Sequence, residues 1–333
     1  MSLTPELTPT SEPSGGVTQI QVPSHASGQR LDNFLITALK GVPKTHIYRI
    51  IRKGEVRLNK KRAKPDSRIQ AGDMVRLPPI RVSASEAPIT PSESLINLLK
   101  NSILFENSSL LIINKPQGLA VHLGSGLQIG LIEALRWMKS QEGSEAPFLE
   151  LAHRIDKDTS GCIAIAKNPL ILKELQNKFK EKKIQKTYLL LVHGKWPDSL
   201  QEINVPLLKR DVQDSEKIVT VSPEGKISHT KFAIVETFAR CTLMKAMPST
   251  GRTHQIRVHA QYAGHPLIGD TKYTNERSSA WQEKGVHLCL HAYELAFELA
   301  DGTKINVRAP LQSNMQRLLI EQRSTTLSQW VKS

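Results

Sequence analysis

From about Ser102 onward the chain carries short apolar runs of strand character that are not separated one by one by helices, and nothing else in the sequence restricts its fold as much. ILFEN (103–107), LLIINK (110–115) and CIAIAK (162–167) are such runs. So are TYLLLVHGKW (187–196), KFAIVETF (231–238), CTLMKAM (241–247) and LCLHAYELAFEL (288–299). Helical periodicity is confined to fewer places. Ile171, Leu175 and Phe179 share one face of a helix expected over 169–183. Thr253 is placed to cap a helix running to about Ala263, with Gly264 just past its end, and a terminal helix is expected over 311–324. Strict alternation of the two element types would build a parallel sheet. Strands in excess predict instead an α+β domain around a mixed, largely antiparallel sheet, here over 99–325.

A smaller block precedes it. Between Gly28 and Pro78 thirteen basic side chains meet four acidic ones, which places +9 of the chain's net +14 in that segment. The block has structural periodicity, unlike a basic tail. Leu31, Phe34, Leu35, Ala38 and Leu39 mark one helix face; Ile47, Ile50 and Ile51 mark a second, ended by Gly54. Val56 and Leu58 alternate with Arg57 into a polar turn at 59–62, and a short strand is expected around Met74 to Leu77. We assign 18–80 to this domain. Residues 1–17, rich in Pro, Ser and Thr, read as a disordered tail, and 81–98 (RVSASEAPITPSESLINL) as a linker.

A folded unit with that charge density suits a partner lined with phosphates. Cys162, Cys241 and Cys289 are far apart and form no CxxC pair, which suits a reducing cytoplasm and neither a disulfide framework nor a zinc cluster. No apolar run reaches the length of a membrane span, and the N-terminus lacks the pattern of a signal peptide.

Four segments concentrate residues able to do chemistry. The densest is His153-Arg154-Ile155-Asp156-Lys157-Asp158-Thr159-Ser160-Gly161, a polar connection between strand-like segments. It is no kinase catalytic loop, because Ile155 separates Arg from Asp and no glycine-rich phosphate loop accompanies it. The second is Gly251-Arg252-Thr253-His254-Gln255-Ile256-Arg257-Val258-His259 at a helix start. Asp156 and Arg257 make either a charge-assisted catalytic pair or a plain structural ion pair; spacing allows both. The third, Lys115 to His122, holds Pro116 and Gly118 and is expected to bring backbone near a ligand. The fourth is Lys186-Thr187-Tyr188, where Tyr188 is either a core aromatic or a stacking surface for an extruded base. The histidines have no metal-ligand spacing, so no metal is expected. Gly124-Ser125-Gly126 with Gly130 reads as a backbone turn, since a dinucleotide loop would need different spacing. The lysines at 173, 178, 180, 182, 183 and 186 are expected on a solvated helix face that also meets phosphate.

GQRLDNFL (28–35) followed by IYRIIRKGEVRLNKKR (47–62) resembles the S4 type of RNA-binding domain. The four segments beyond it, taken in order, resemble the RluA-type pseudouridine synthases, and the resemblance covers almost everything from Gly28 onward. It implies an enzyme that isomerises uridines of large-subunit (23S) ribosomal RNA, free or in an assembling subunit, as a cytoplasmic monomer without a cofactor. It makes Asp156 the essential carboxylate, Arg257 its partner and Tyr188 the residue that stacks on the target base. Arg154 would help displace the nucleotide, with Thr159, Arg252 and His254 around the flipped base. Lys44, Arg49, Arg52, Lys53, Lys60, Lys61 and Arg62 would meet RNA phosphates. Two other readings compete: a non-catalytic ribosome-associated protein, and an enzyme of small uridine compounds. The first sits poorly with Asp156, Tyr188 and Arg257 all being present, the second with the +9 block.

Overall fold

The structure is a computed structural model that describes residues 17–39, 42, 44–79, 90–122, 129–143, 148–211, 217–273 and 285–331. It divides between Ile89 and Thr90 into two compact units.

In the first unit, β1 (Thr18–Gln21), α1 (Leu31–Ala38), α2 (Lys44–Lys53), β2 (Arg57–Leu58), β3 (Lys61–Arg62) and β4 (Met74–Leu77) form two helices on an antiparallel sheet of order β1-β4-β2-β3. The expected stripes are its core: Leu31, Phe34, Leu35, Ile47, Ile50 and Ile51 are buried with Val56, Ile69 and Val75. Ala38 is exposed because α1 ends on it. Gly54 ends α2 as expected, its N–H bonded to the Ile51 carbonyl. Asn59 and Lys60, at φ 48° and 67°, make the two-residue turn between β2 and β3.

The second unit opens with a departure from expectation. Helix α3 (Glu93–Asn101) occupies part of the segment read as linker, capped by Ser92 and buried through Ile96 and Leu99. Three apolar residues spaced for a helix were diluted there by Ser, Pro and Glu. Of the rest of that segment 81–89 lie outside the described residues, as do 1–16 of the tail and 124–126 of the glycine turn.

The strands β5 (Ile103–Glu106), β6 (Leu110–Lys115), β7 (Glu150–Leu151) and β8 (Ser160–Ala166) follow, with α4 (Leu131–Ser140) between β6 and β7. Next come α5 (Pro169–Lys180), β9 (Gln185–His193), β10 (Glu202–Asn204) and the hairpin β11 (Leu207–Asp211) with β12 (Lys217–Val221). The unit closes with β13 (His229–Thr237), β14 (Cys241–Pro248), α6 (Gln255–Tyr262), β15 (Leu290–Glu298), β16 (Lys304–Arg308), α7 (Ser313–Glu321) and α8 (Ser328–Val331). The main sheet runs β10-β13-β14-β9-β15-β8-β6-β5, with β16 beside β15 and β7 beside β8. Its pairings are antiparallel except β15 with β8, so the sheet is mixed and largely antiparallel as expected.

The apolar runs are continuous because both faces of the central strands are covered. Leu111, Ile113, Ile163 and Ile165 pack under α3 and α4, while Leu110, Ile112, Cys162 and Ala164 pack toward α5. Each such Ile or Leu contributes roughly 1.5–3 kcal/mol on burial. Helix α4 and the β11–β12 hairpin had no counterpart in the sequence reading. The unit also runs past residue 325: α8 buries Trp330 against Tyr293, and Glu236 binds Ser324, Thr325 and Thr326. Burial opposes ionisation of Glu236, but those hydrogen bonds outweigh it and bring the carboxyl down to about 2.

The parallel junction of β8 with β15 is short, joining only Ser160 to His291 and Gly161 to Ala292. Gly161 has φ +106°, and a Cβ there would overlap the Ala292 backbone. The Ser160 hydroxyl donates to His291 Nδ1 at 2.8 Å, while His291 Nε2–H donates to the Ala309 carbonyl at 3.0 Å, and burial pushes that imidazole down to about 4. We expect Gly161→Ala to cost about 3 kcal/mol or more, from forbidden backbone geometry plus overlap. Urea denaturation measures this, and a change within 0.5 kcal/mol, about what a neutral surface substitution gives, would refute the close approach.

Candidate active site

The polar segment 153–159 leaves β7 and enters β8, so the strand junction sets where its side chains stand. The Thr159 N–H closes a turn on the Asp156 carbonyl at 3.1 Å. The carbonyls that follow are held from the Lys115 segment. Gly118 N–H and Lys115 Nζ both donate to the Lys157 carbonyl, at 3.0 and 2.9 Å, and Gln117 Nε2 donates to that of Asp158 at 2.8 Å. Lys115 Nζ also donates to the carbonyls of Pro116 and Leu119, both at 2.8 Å. Burial pushes this amine down to about 7, yet three carbonyl acceptors use all three N–H bonds that only the ammonium form has. The turn at Pro116 and Gly118 therefore braces the Asp156 loop, and does not line the cavity as its expected approach to a ligand would require.

On the other side, residues 249–255 leave β14 and enter α6. Gln255, 4% exposed, staples this bend. Its Oε1 accepts from Thr250 Oγ1 at 2.7 Å and Arg252 N–H at 3.0 Å, and its Nε2 donates to the His229 carbonyl and Thr230 Oγ1, both at 3.0 Å. His254, and not Thr253, precedes the helix, with a left-handed φ of 52° and no side-chain cap. That conformation costs a non-glycine residue about 1 kcal/mol or more, and here it turns the imidazole toward Asp156.

Between the two segments lies a cavity of about 420 Å³, a size that suits a small organic group. Among the described residues Asp156 is its only carboxylate, against Arg154, Lys180, Lys186, Arg252 and Arg257. Asp156 Oδ2 stands 3.8 Å from Arg257 Nη1 and 3.9 Å from His254 Nε2, its side chain 22% exposed. Tyr188 lines the same space, half-buried; burial and then the Asp156 charge push its phenol upward. Ala292 explains the proximity, since it pairs with Gly161 on one side and Tyr188 on the other.

The expected pairing of Arg257 is corrected in one respect. Its short bonds go to Asp270: Nε to Oδ2 and Nη2 to Oδ1, both 2.8 Å, with Asp270 1% exposed. Burial opposes both charges, but the fork between them outweighs it, lowering Asp270 and raising Arg257. Arg257 thus presents its remaining nitrogen to Asp156 from a fixed position, over the Tyr273 ring at 5.0 Å. Tyr273 Oη accepts the Val219 N–H at 3.1 Å and is 2.7 Å from His254 Nδ1, so it is poised to donate there and leave the hydrogen on Nε2, toward Asp156. Burial also holds the His254 imidazole low, with Asp156 opposing that shift.

Arg154 and Arg252 are exposed at the cavity, and Arg252 Nε donates to the Ile227 carbonyl at 3.1 Å. Thr159, expected around the flipped base, lines the cavity although it is only 2% exposed, and its N–H closes the turn on Asp156. The expected helix face of lysines is also corrected, because α5 ends at Lys180 and Lys186 lies on β9, half-buried in the cavity wall. Lys44 begins α2; Arg49, Arg52, Lys53, Lys60 and Lys61 are exposed, and Arg62 donates to the Lys53 carbonyl at 3.1 Å. Asp270 and Tyr273 were missed, since no spacing in the sequence marks them, and Gln255 was named in its segment without the stapling role it has here.

One acid among five cations, beside an aromatic ring and on a chain with its own basic module, defines an enzyme that handles a polyanion. Comparison with known proteins agrees. The family described as RNA pseudouridylate synthase matches residues 109–262, and the S4 domain family matches 29–75. The ribosomal large subunit pseudouridine synthase C of Pasteurella multocida is 47% identical over 307 residues, covering 91% of this chain and 93% of that protein. The protein of that name from Escherichia coli K12 is 46% identical over 306 residues, covering 90% and 95%. Among solved structures, human RNA pseudouridylate synthase domain containing 4 shares the fold with a TM-score of 0.58 at 24% identity, over 69% of this chain and 96% of its own. The chain belongs to the RNA pseudouridylate synthase family, and it is an RNA pseudouridine synthase with an S4 domain.

Asp270→Asn leaves the Arg257 guanidinium buried without its counter-charge. We expect a loss of about 3–5 kcal/mol in denaturant unfolding, with slower isomerisation even where the variant is fully folded. Unchanged stability and rate would show that Asp270 does not orient Arg257.

Proposed function

We propose that this enzyme isomerises specific uridines of large-subunit (23S) ribosomal RNA, with Asp156 as the catalytic carboxylate. The observation that carries this is Asp156, the only acid among the described residues of a cavity of cations, 3.8 Å from an Arg257 that Asp270 holds in place. Pseudouridine formation breaks the bond from uracil N1 to ribose C1′, turns the base and joins its C5 to C1′. The C5 hydrogen leaves as a proton and N1 gains one, so the reaction is balanced without a redox partner. An ionised carboxylate acts at the ribose, either by attacking C1′ or by taking the proton on C2′. Arg257 Nη1 and His254 Nε2 stand 3.8 and 3.9 Å from that carboxylate and face it with positive charge and a hydrogen-bond donor.

The target base must leave its stack to reach this depth, and the half-buried Tyr188 ring supplies a face for it. Arg154 and Arg252, exposed at the cavity, meet the RNA where the nucleotide departs, and His254 borders the extruded base. In the S4 unit Arg49, Arg52, Lys53, Lys60, Lys61 and Arg62 contact phosphates, which fix position and carry little sequence information. The large-subunit substrate rests on the names of the relatives, at 46–47% identity over most of both chains. Three buried free cysteines suit the cytoplasm, where those RNAs mature.

Asp156→Asn is expected to slow release of tritium from C5-labelled uridine in ribosomal RNA by on the order of a thousandfold or more, with RNA affinity retained. Undiminished release would remove Asp156 from the mechanism. Deleting residues 1–80 should weaken RNA binding and flatten its dependence on salt concentration, while the second unit still unfolds cooperatively. A salt slope equal to that of the full chain would show that the S4 unit makes no phosphate contacts.

A further inference from the structure

Lys186 is a cation of the cavity wall to which the preceding account gives no role. It lies two residues before Tyr188 on β9, so both side chains leave the same face of the strand and line the same cavity. Its ammonium is half-buried, and no carboxylate stands within ion-pair distance of it among the described residues. The acid nearest in strand register, Glu294, stands opposite Thr187 on the other face, where it accepts from Thr187 at 3.3 Å and Arg308 at 2.8 Å. Asp156 stands with Arg257 and His254. Burial accordingly pushes the Lys186 amine downward with no anion offsetting it. The surroundings add no negative charge either: His153, whose ring packs 4.5 Å from that of Phe179, accepts the Ala164 N–H at Nε2 and is driven down to about 3 by burial and then by Lys186.

A desolvated cation without a counter-ion is costly to keep unless a ligand supplies the charge. We propose that Lys186 binds a backbone phosphate flanking the extruded nucleotide, gripping its phosphate while Tyr188 carries its base. The proposal rests on the isomerase reading of the site and adds a positioning contact to it. Side chains two apart on a strand are about 6.6 Å apart along it, which places a base and a neighbouring phosphate of one nucleotide on the two residues together. Arg257 cannot do this work, being forked onto Asp270. The phosphate would take the place of the counter-ion that the fold does not provide, so the contact forms only when the nucleotide has left its helix.

The test is a cycle between protein and RNA. Full-length wild type, Lys186→Met and Lys186→Gln are measured for affinity and single-turnover rate on a substrate RNA in which each phosphate around the target uridine is replaced in turn by an uncharged methylphosphonate. In the wild type one flanking replacement should weaken binding roughly tenfold to a hundredfold, the worth of a charge-assisted hydrogen bond. Both variants should show that loss already with unmodified RNA, be indifferent to that replacement, and have a salt slope lower by about one. Lys186→Arg should restore most of the affinity and the sensitivity. Variants that respond to every replacement as the wild type does would overturn the proposal, whichever of the two folds better. Tritium release by the wild type from unmodified RNA tests the isomerase reading separately: a wild type that binds and releases none defeats that reading, whatever the phosphate cycle shows.

Discussion

The close approach of Gly161 to Ala292 is the constraint on which the site depends. Only there does β15 run parallel to its neighbour β8, and it does so for two residues. The same Ala292 pairs with Tyr188 on its other edge. Strand spacing of about 4.8 Å then fixes the loop that bears Asp156 and the ring of Tyr188 about two strands apart. A side chain at 161 would push the strands apart and carry Asp156 away from Tyr188. The glycine of the Thr-Ser-Gly run is thus a requirement of packing, although it sits beside the chemistry.

Around that junction the site is held by a set of side-chain hydrogen bonds. Lys115, Gln117 and Gly118 fasten the carbonyls that follow Asp156, and Gln255 fastens the bend that bears Arg252 and His254. Asp270 fixes Arg257 with two bonds, so the guanidinium reaches Asp156 from a rigid position with one nitrogen to spare. Much of the buried polar inventory of this unit is therefore spent on orientation. Electrostatics points the same way: among the described residues one carboxylate faces five cations, which leaves the cavity receptive to phosphate.

Much of the fold was legible in the sequence because its signals are local. Unbroken apolar runs such as 110–115 and 162–167 mark strands covered on both faces, and the stripes at Leu31 and Ile47 mark the helices of the basic unit. Helix α3 was not legible, since Ile96 and Leu99 are too few to stand out among Ser, Pro and Glu; the core beneath them decides that segment. The helix start at His254 escaped for a related reason. A tertiary staple from Gln255 sets that bend, overriding the cap that Thr253 would have offered.

By itself the sequence determined the strand-rich second unit and the basic first one, because residue type and short-range period are properties of the chain alone, while a resemblance to a known family is what singled out Asp156, Arg257 and Tyr188. Only the tertiary structure decided that Arg257 binds Asp270 before it meets Asp156, and that Lys186 stands in the cavity wall with no ion-paired acid among the described residues. Each of these depends on which side chains strand register and helix packing bring together across the fold. Burial then sets the strength of every charge that results.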